Sequence, residues 1–183
     1  MAANIPTAGS LKLGAAMKTL VVFSAFYFGI NDCDTVLAED VGSPIDKVLS
    51  AVRKLHEEYG AKHFVLMDRV RSRSSSPLHL TLTSLPPALK RTPENKAQVI
   101  AAMAAWNHVL PIKVAEFQRA TPEVTLSVFS VRDVFTAVLD DPETYGFTKK
   151  DLTEVGGGVW ADEVHATPAV QEVVAKWLIE GKA

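Results

Sequence analysis

Two groups of residues have the types and spacing that acyl-transfer chemistry uses. Asp162 and His165 are three positions apart, between a glycine-rich stretch and a predicted helix. A carboxylate at this spacing can bind the imidazole, fix its tautomer and stabilise the imidazolium that forms when the histidine accepts a proton. Asn31 follows an apolar run, and an asparagine amide can donate a hydrogen bond to a developing oxyanion. The candidate chemistry is therefore a histidine general base assisted by an oxyanion donor.

Each group, taken alone, also has a simpler structural explanation. A lone Asp-x-x-His is more often a surface turn in which the aspartate caps the backbone. Asn31-Asp32 after a strand is a common turn sequence. Asp32 and Asp34 have the spacing of a metal-binding pair, but no third hard ligand is nearby, so we predict no metal site. Cys33, the single cysteine, is expected to be a small buried apolar residue.

Strands and helices must alternate along the chain to position these residues. Strands are predicted over residues 20–28, 63–67 and 124–129, which are rich in apolar, β-branched and aromatic side chains. A loop is expected over residues 29–40, directly after the first strand. Alternating strands and helices indicate an α/β fold with a parallel sheet. Asn31 would then lie at the carboxyl edge of that sheet, where α/β proteins bind ligands.

The predicted helices carry recognisable start and stop signals. Ser43-Pro44 is expected to begin a helix, because serine is a good N-cap and proline suits the first turn, and Gly60 is expected to end it. Pro111 must kink or split the long helix that follows residue 92. Two further helices are expected to begin at the capping residues Ser130 and Thr167.

The motifs and four further stretches resemble one hydrolase family. Gly29-Ile30-Asn31-Asp32 after a strand, with Asp162-x-x-His165 before the last helix, resembles the third and fifth sequence blocks of the SGNH (GDSL) hydrolases. The chain is also similar to the fungal acetyl-esterase branch of the carbohydrate esterases over residues 59–67, 106–107, 129–135 and 142–147. The resemblance extends over most of the chain from about residue 19 onward.

This resemblance implies a fold, an activity and roles for three residues. The fold would be a three-layer α/β/α domain with a parallel sheet, similar to flavodoxin. The activity would be hydrolysis of small acyl esters, chiefly acetyl groups on plant cell-wall sugars, by a Ser-His-Asp mechanism that needs no cofactor or metal. Asn31 would donate to the oxyanion, Asp162 would orient the imidazole, and His165 would be the general base.

The family's nucleophile block is missing. No Gly-Asp-Ser occurs in the sequence, and neither does the glycine of the second oxyanion block. Ser10 and Ser24 are the only serines before Asn31, and neither lies in such a motif. We therefore expect a partial SGNH domain that is incomplete at its N-terminal side and whose nucleophile is not identified. Two alternatives remain open: an inactive pseudoenzyme that binds a carbohydrate ligand, and a truncated product.

The incomplete front of the domain has a physical consequence for the sheet. In a flavodoxin-like order, the missing strands would lie beside the strand at residues 20–28. Without them this apolar strand becomes a sheet edge, and such an edge is a template for pairing with another chain. We therefore predict self-association through the exposed edge.

Composition limits the remaining function classes. The chain has 183 residues, of which 48% are hydrophobic and 22% charged, and this composition is typical of one globular domain. We expect the domain over residues 19–183, after a loose segment at residues 1–18. A net charge of −2 gives no reason to expect a nucleic-acid partner, and the basic, serine-rich residues 69–76 are interpreted as a solvated loop. The apolar run is too short to span a membrane and is interpreted as a strand rather than a signal peptide. The family is often secreted, but the compartment is not predicted.

Overall fold

Strands and helices alternate along the part of the chain that the computed structural model describes, residues 23–68, 93–162 and 165–182. In chain order the strands and α-helices are β1 Ser24–Phe26, α1 Ile30–Thr35, α2 Gly42–Tyr59, β2 His63–Met67, α3 Pro93–Ala120, β3 Thr125–Phe129, α4 Val131–Asp140 and α5 Pro168–Glu180. Short 3₁₀ helices lie at Ala38–Asp40, Pro142–Tyr145 and Lys150–Leu152. The predicted α/β class with a parallel sheet is confirmed. The loose segment predicted at residues 1–18, the start of the first strand at residues 20–22 and the loop within residues 69–92 lie outside the described residues.

The sheet has three described strands in the order β1-β2-β3, and both pairings are parallel. Ser24 is opposite Phe64 and Phe26 is opposite Leu66, while His63 to Met67 pair with Thr125 to Phe129. Parallel strands need crossover connections, which α2 and α3 supply. Among the described strands β1 is an edge strand, and β2 lies in the middle.

Side chains of β2 alternate between two hydrophobic clusters. Phe64 and Leu66 are buried in a first cluster that contains residues of α2 and α3. Val65 and Met67 pack against a second cluster that contains residues of α4 and α5. Successive side chains of a strand point to opposite faces of a sheet, so the two clusters lie on the two faces.

Helices α2 and α3 bury apolar side chains in the first cluster, and α3 differs from the sequence prediction at Pro111. Ile45, Val52 and Trp106 are almost fully buried, as the apolar stripes of α2 and α3 require. The sequence predicts that Pro111 kinks or splits α3, but α3 runs without a break through Pro111, so the helix is not split there. Pro111 is exposed, which places its ring away from the cluster that the rest of the helix covers.

The segment that follows β1 differs from the expected loop. Residues 30–35 form helix α1, and a 3₁₀ turn over Ala38–Asp40 leads directly into α2. α2 consequently begins at Gly42, and its N-cap residue Val41 makes no side-chain hydrogen bond, so the predicted cap at Ser43 is wrong. The prediction that Gly60 ends α2 is confirmed, because Gly60 has φ 68° and its N–H donates to His56 O.

Gly29 connects β1 to α1 in a conformation that glycine favours. Its φ is 102°, in the left-handed region. A Cβ at this position would lie 2.5 Å from ring atoms of Trp106, which is 2% exposed in the first cluster. The backbone can therefore approach α3 closely only because residue 29 has no side chain.

The two predicted serine and threonine caps are confirmed. Ser130 Oγ accepts a hydrogen bond from Asp133 N at 3.2 Å at the start of α4. Thr167 Oγ1 accepts one from Val170 N at 3.4 Å at the start of α5, whose first residue is Pro168. Both helices therefore begin where the sequence places them, and α5 follows directly after the segment that carries Asp162 and His165.

Candidate functional site

Asp162 and His165 are in direct contact. His165 Nδ1 lies 2.8 Å from Asp162 Oδ2 and 3.0 Å from Oδ1. The backbone N–H of His165 also donates to Asp162 Oδ1 at 2.7 Å. One carboxylate thus caps a turn and binds the imidazole, so the structural and the functional interpretations of Asp-x-x-His both describe this pair.

The contact fixes the chemistry that the imidazole can perform. A carboxylate that accepts a hydrogen bond from Nδ1–H leaves the lone pair of the neutral ring on Nε2. Nε2 is then the atom that can remove a proton, and the carboxylate stabilises the imidazolium that results. The side chains of His165 and Asp162 are 73% and 55% exposed. Because water screens such an exposed pair, the contact orients the ring but contributes little to folding.

A small set of backbone contacts holds the segment that carries the pair. Trp160 makes a parallel bridge to Val155 and an antiparallel bridge to Ala166. Ala161 N donates to His165 O at 2.8 Å. The indole of Trp160 is buried in the second cluster, and its Nε1 donates to Leu152 O at 3.1 Å. The pair is therefore exposed on a segment whose base is anchored in the hydrophobic core.

Asn31 lies on α1, just beyond the carboxyl end of β1, and is exposed. Asn31 therefore follows β1 in the chain as predicted, but it lies on a helix rather than on the expected loop. Cys33 on the same helix is fully buried in the first cluster, as predicted. Trp160 and Ala166, which flank the Asp162–His165 pair, belong to the second cluster. The structure brings Asp162 and His165 together, whereas the helix that carries Asn31 packs through Cys33 into the cluster on the other face of the sheet.

Asp68 is a buried carboxylate at the carboxyl edge that the sequence reasoning did not select. It is 6% exposed, and it accepts hydrogen bonds from Ser130 Oγ and Arg132 N, each at 2.9 Å. Burial raises the pKa of the Asp68 carboxyl above its ordinary value of 3.8, although the two hydrogen bonds oppose this effect. The sequence shows only that Asp68 comes directly after β2. Its hydrogen-bond partners Ser130 and Arg132 follow β3, so their contact with Asp68 is not visible from the sequence.

Replacement of Asp68 by asparagine is expected to change how stability depends on pH. A pKa that is higher in the folded than in the unfolded chain favours folding while the carboxyl is protonated, and this contribution is lost as pH rises through the folded pKa. Relative to Asp68→Asn, the wild-type free energy of unfolding should therefore fall as pH rises from about 3.8 through the raised value. Urea unfolding at a series of pH values measures this difference.

Asp140→Asn, at the exposed end of α4, controls for the loss of one surface charge. A difference between the wild type and Asp68→Asn that stays constant over the pH series would contradict the expected coupling.

The described serines do not supply an evident nucleophile. Ser130 lies at a strand-to-helix junction, but its hydroxyl donates to Asp68 and accepts from Asp133 N, which makes it a helix cap. Ser24 lies within β1, as the sequence predicts. Within the described ranges, the imidazole of His165 makes its hydrogen bonds to Asp162 and none to a serine hydroxyl.

No group of three or more His, Cys, Asp or Glu side chains in residues 23–68, 93–162 and 165–182 could hold a metal ion. None of the helices in these same ranges combines the length and the apolar character that crossing a bilayer requires.

Comparison of the chain with protein-family models and with curated proteins found no match. The family resemblance therefore depends on the order of the motifs in the sequence and on the chemistry of the residues that carry them.

Proposed function

We propose that this chain is an SGNH-type ester hydrolase that acts on small acyl esters, chiefly acetyl esters of carbohydrates. The observation that supports the proposal most directly is the 2.8 Å contact between His165 Nδ1 and the Asp162 carboxylate. This contact is the acid–base half of a Ser-His-Asp triad, recognised by geometry and role rather than by position in a sequence. A parallel sheet with hydrophobic clusters on both faces is compatible with the three-layer domain that the proposal includes.

Each of the three residues has one role in the proposed reaction. His165 Nε2 takes the proton from a serine hydroxyl as the serine oxygen attacks the ester carbonyl, and then gives that proton to the departing alcohol. Asp162 stabilises the imidazolium between these steps. Asn31 donates to the oxyanion, a contribution worth about 10²–10³ in rate in related chemistry. Water then attacks the acyl-serine by the same route, which releases the acid and restores the serine.

The second candidate function is carbohydrate binding without turnover. Two observations favour it: the Gly-Asp-Ser block is missing from the sequence, and the Asp162–His165 pair is more than half exposed. Loss of one triad member leaves only the residual rate that binding and oxyanion donors supply. Saturable binding of an acetylated oligosaccharide without release of acetate would support this alternative.

Self-association is part of the same proposal, because β1 lies at the edge of the described sheet. Aromatic side chains at its ends are partly exposed: Phe23 and Tyr27 at 44% and Phe28 at 56%. The outer edge of β1, which has no partner among the described strands, is the surface that a second copy of the chain would pair with.

The test is labelling with a serine-directed fluorophosphonate, with peptide mapping and measured turnover of an aryl acetate. The wild type is expected to label at one serine and to hydrolyse the ester, and His165→Ala is expected to lose both. His108→Ala, an exposed histidine on α3, is the matched control for non-specific hydrolysis by surface imidazoles. Sedimentation of the same samples should show a mass above the 19.8 kDa of one chain.

The outcomes separate the candidates. Folded wild-type protein that neither labels nor turns over ester would contradict the hydrolase and favour the binding protein. Equal loss of turnover in His165→Ala and His108→Ala would mean that no triad operates. A mass of one chain at every concentration would contradict self-association.

A further inference from the structure

Asp151 lies outside the proposed triad, yet its carboxylate is held by three donors. Oδ2 accepts from Thr148 N and from Thr148 Oγ1, each at 2.7 Å. Oδ1 accepts from Gly158 N at 2.8 Å, across seven positions of the chain. These hydrogen bonds hold the pKa of the Asp151 carboxyl below its usual range. Asp151 therefore links the glycine-rich stretch to the 3₁₀ helix Lys150–Leu152 while it stays ionised.

The contacts continue from Gly158 to the residues around His165. Gly158 O accepts from Thr167 Oγ1 at 2.5 Å, and Thr167 N donates to Val159 O at 2.9 Å. Thr167 is two positions beyond His165 and is the N-cap of α5. The segment that carries Asp162 and His165 is thus closed at its base by contacts between residues 158–159 and residue 167.

The space around Gly158 is too small for a side chain at that position. A Cβ on Gly158 would lie 2.9 Å from Asp151 Cγ and 2.9 Å from Phe147 Cδ1. Real side chains essentially never tolerate such a distance, so the close approach depends on glycine. Phe147 is buried in the second cluster, so the contact also connects the loop to the core.

We infer that Asp151 is a positioning residue, which fixes the base of the loop so that the Asp162 carboxylate stays on His165 Nδ1. The inference rests on the proposed function, because the pair must act as an acid–base couple for its position to matter to a rate. Asp151 itself acts only through Gly158 and Thr167, and no contact with a substrate is assigned to it.

The isosteric variant Asp151→Asn tests this role. An asparagine has one acceptor oxygen, so its NH₂ group must face either the Gly158 N–H or the Thr148 donors. Because two donor groups cannot form a hydrogen bond with each other, we expect the base of the loop to shift. Turnover should fall in kcat by roughly tenfold to a hundredfold, with KM nearly unchanged, because a small misplacement of a catalytic group costs rate rather than binding.

A second measurement reads the imidazole directly. Nitrogen-15 correlation spectra of the uncomplexed protein report which ring nitrogen of His165 carries the proton. In the wild type the Nδ1–H tautomer should dominate, and in Asp151→Asn a mixture of both tautomers should appear. A purely structural role would lower stability and leave this tautomer unchanged.

Asp141→Asn is the matched control. Asp141 is exposed and accepts from Thr144 Oγ1 at 2.6 Å, so its replacement removes a similar charge and contact outside the loop. The inference is overturned if Asp151→Asn keeps the wild-type tautomer and kcat, or if Asp141→Asn alters both equally. If the wild type itself has no turnover, the proposed function fails, while the tautomer comparison still decides the role of Asp151.

Discussion

Gly29→Ala is expected to lower the free energy of unfolding by about 2 to 5 kcal/mol. Two costs combine in this variant. A residue with a Cβ held at a φ of 102° carries backbone strain of about 1–2 kcal/mol. The added methyl group would lie 2.5 Å from Trp106 Cη2 and Cζ2, and overpacking of this kind costs about 1–3 kcal/mol. The buried indole cannot move away without disturbing the first cluster.

Gly60→Ala separates the two costs. Gly60 also has a positive φ, 68°, but no heavy atom lies within 4 Å of the position its Cβ would take. Its replacement should therefore cost only the backbone contribution, about 1 kcal/mol. Urea unfolding of both variants gives the comparison. Equal losses of unfolding free energy in Gly29→Ala and Gly60→Ala would mean that the contact with Trp106 adds nothing to the cost of Gly29→Ala.

Asp162→Asn is expected to reduce turnover by about 10³- to 10⁴-fold if the wild type hydrolyses esters as proposed. The asparagine keeps the shape of the side chain, but its NH₂ group can face His165 Nδ1. A donor at that position favours the tautomer with the proton on Nε2, which blocks the atom that must accept the serine proton. Steady-state kinetics with an aryl acetate measure the loss, and the free energy of unfolding should barely change because the pair is exposed.

Asp133→Asn provides the matched control for this variant. Asp133 is an exposed aspartate on α4 that contacts the cationic side chain of Arg132 at 3.0 Å. Its loss removes one charge and one surface ion pair without touching the imidazole, so turnover should stay close to the wild-type value. The assigned role of Asp162 would be untenable if Asp162→Asn and Asp133→Asn had similar kcat values.

Much of the fold follows from local signals in the sequence. β2, β3, α4 and α5 lie within a residue or two of their predicted positions, because apolar runs, capping residues and turn residues act over a few positions. α1 was missed for the opposite reason. Its sequence, from Ile30 to Thr35, has no helical apolar stripe, and the helix is held by packing against α3 through the buried Cys33.

The contacts of the candidate site also divide into local ones, which the sequence predicts, and long-range ones, which it does not. Asp162 and His165 were found because the two partners are three positions apart. Asp68 and Ser130 are 62 positions apart, and only the pairing of β2 with β3 brings them together. The role inferred for Asp151 likewise depends on a contact with Gly158 that spacing alone does not reveal. The proposed role of Asn31 depends on where a substrate would lie, so it stays a prediction.

The short separation of Asp162 and His165 also bears on how a site of this kind assembles. The entropy lost when two residues are brought together grows with the length of chain between them, so a contact that closes three positions loses very little. Asn31 is more than a hundred positions away, and its helix α1 is positioned by packing against α3. The Asp162–His165 contact is therefore a low-contact-order unit that can form early in folding, whereas the place of the proposed oxyanion donor depends on long-range topology.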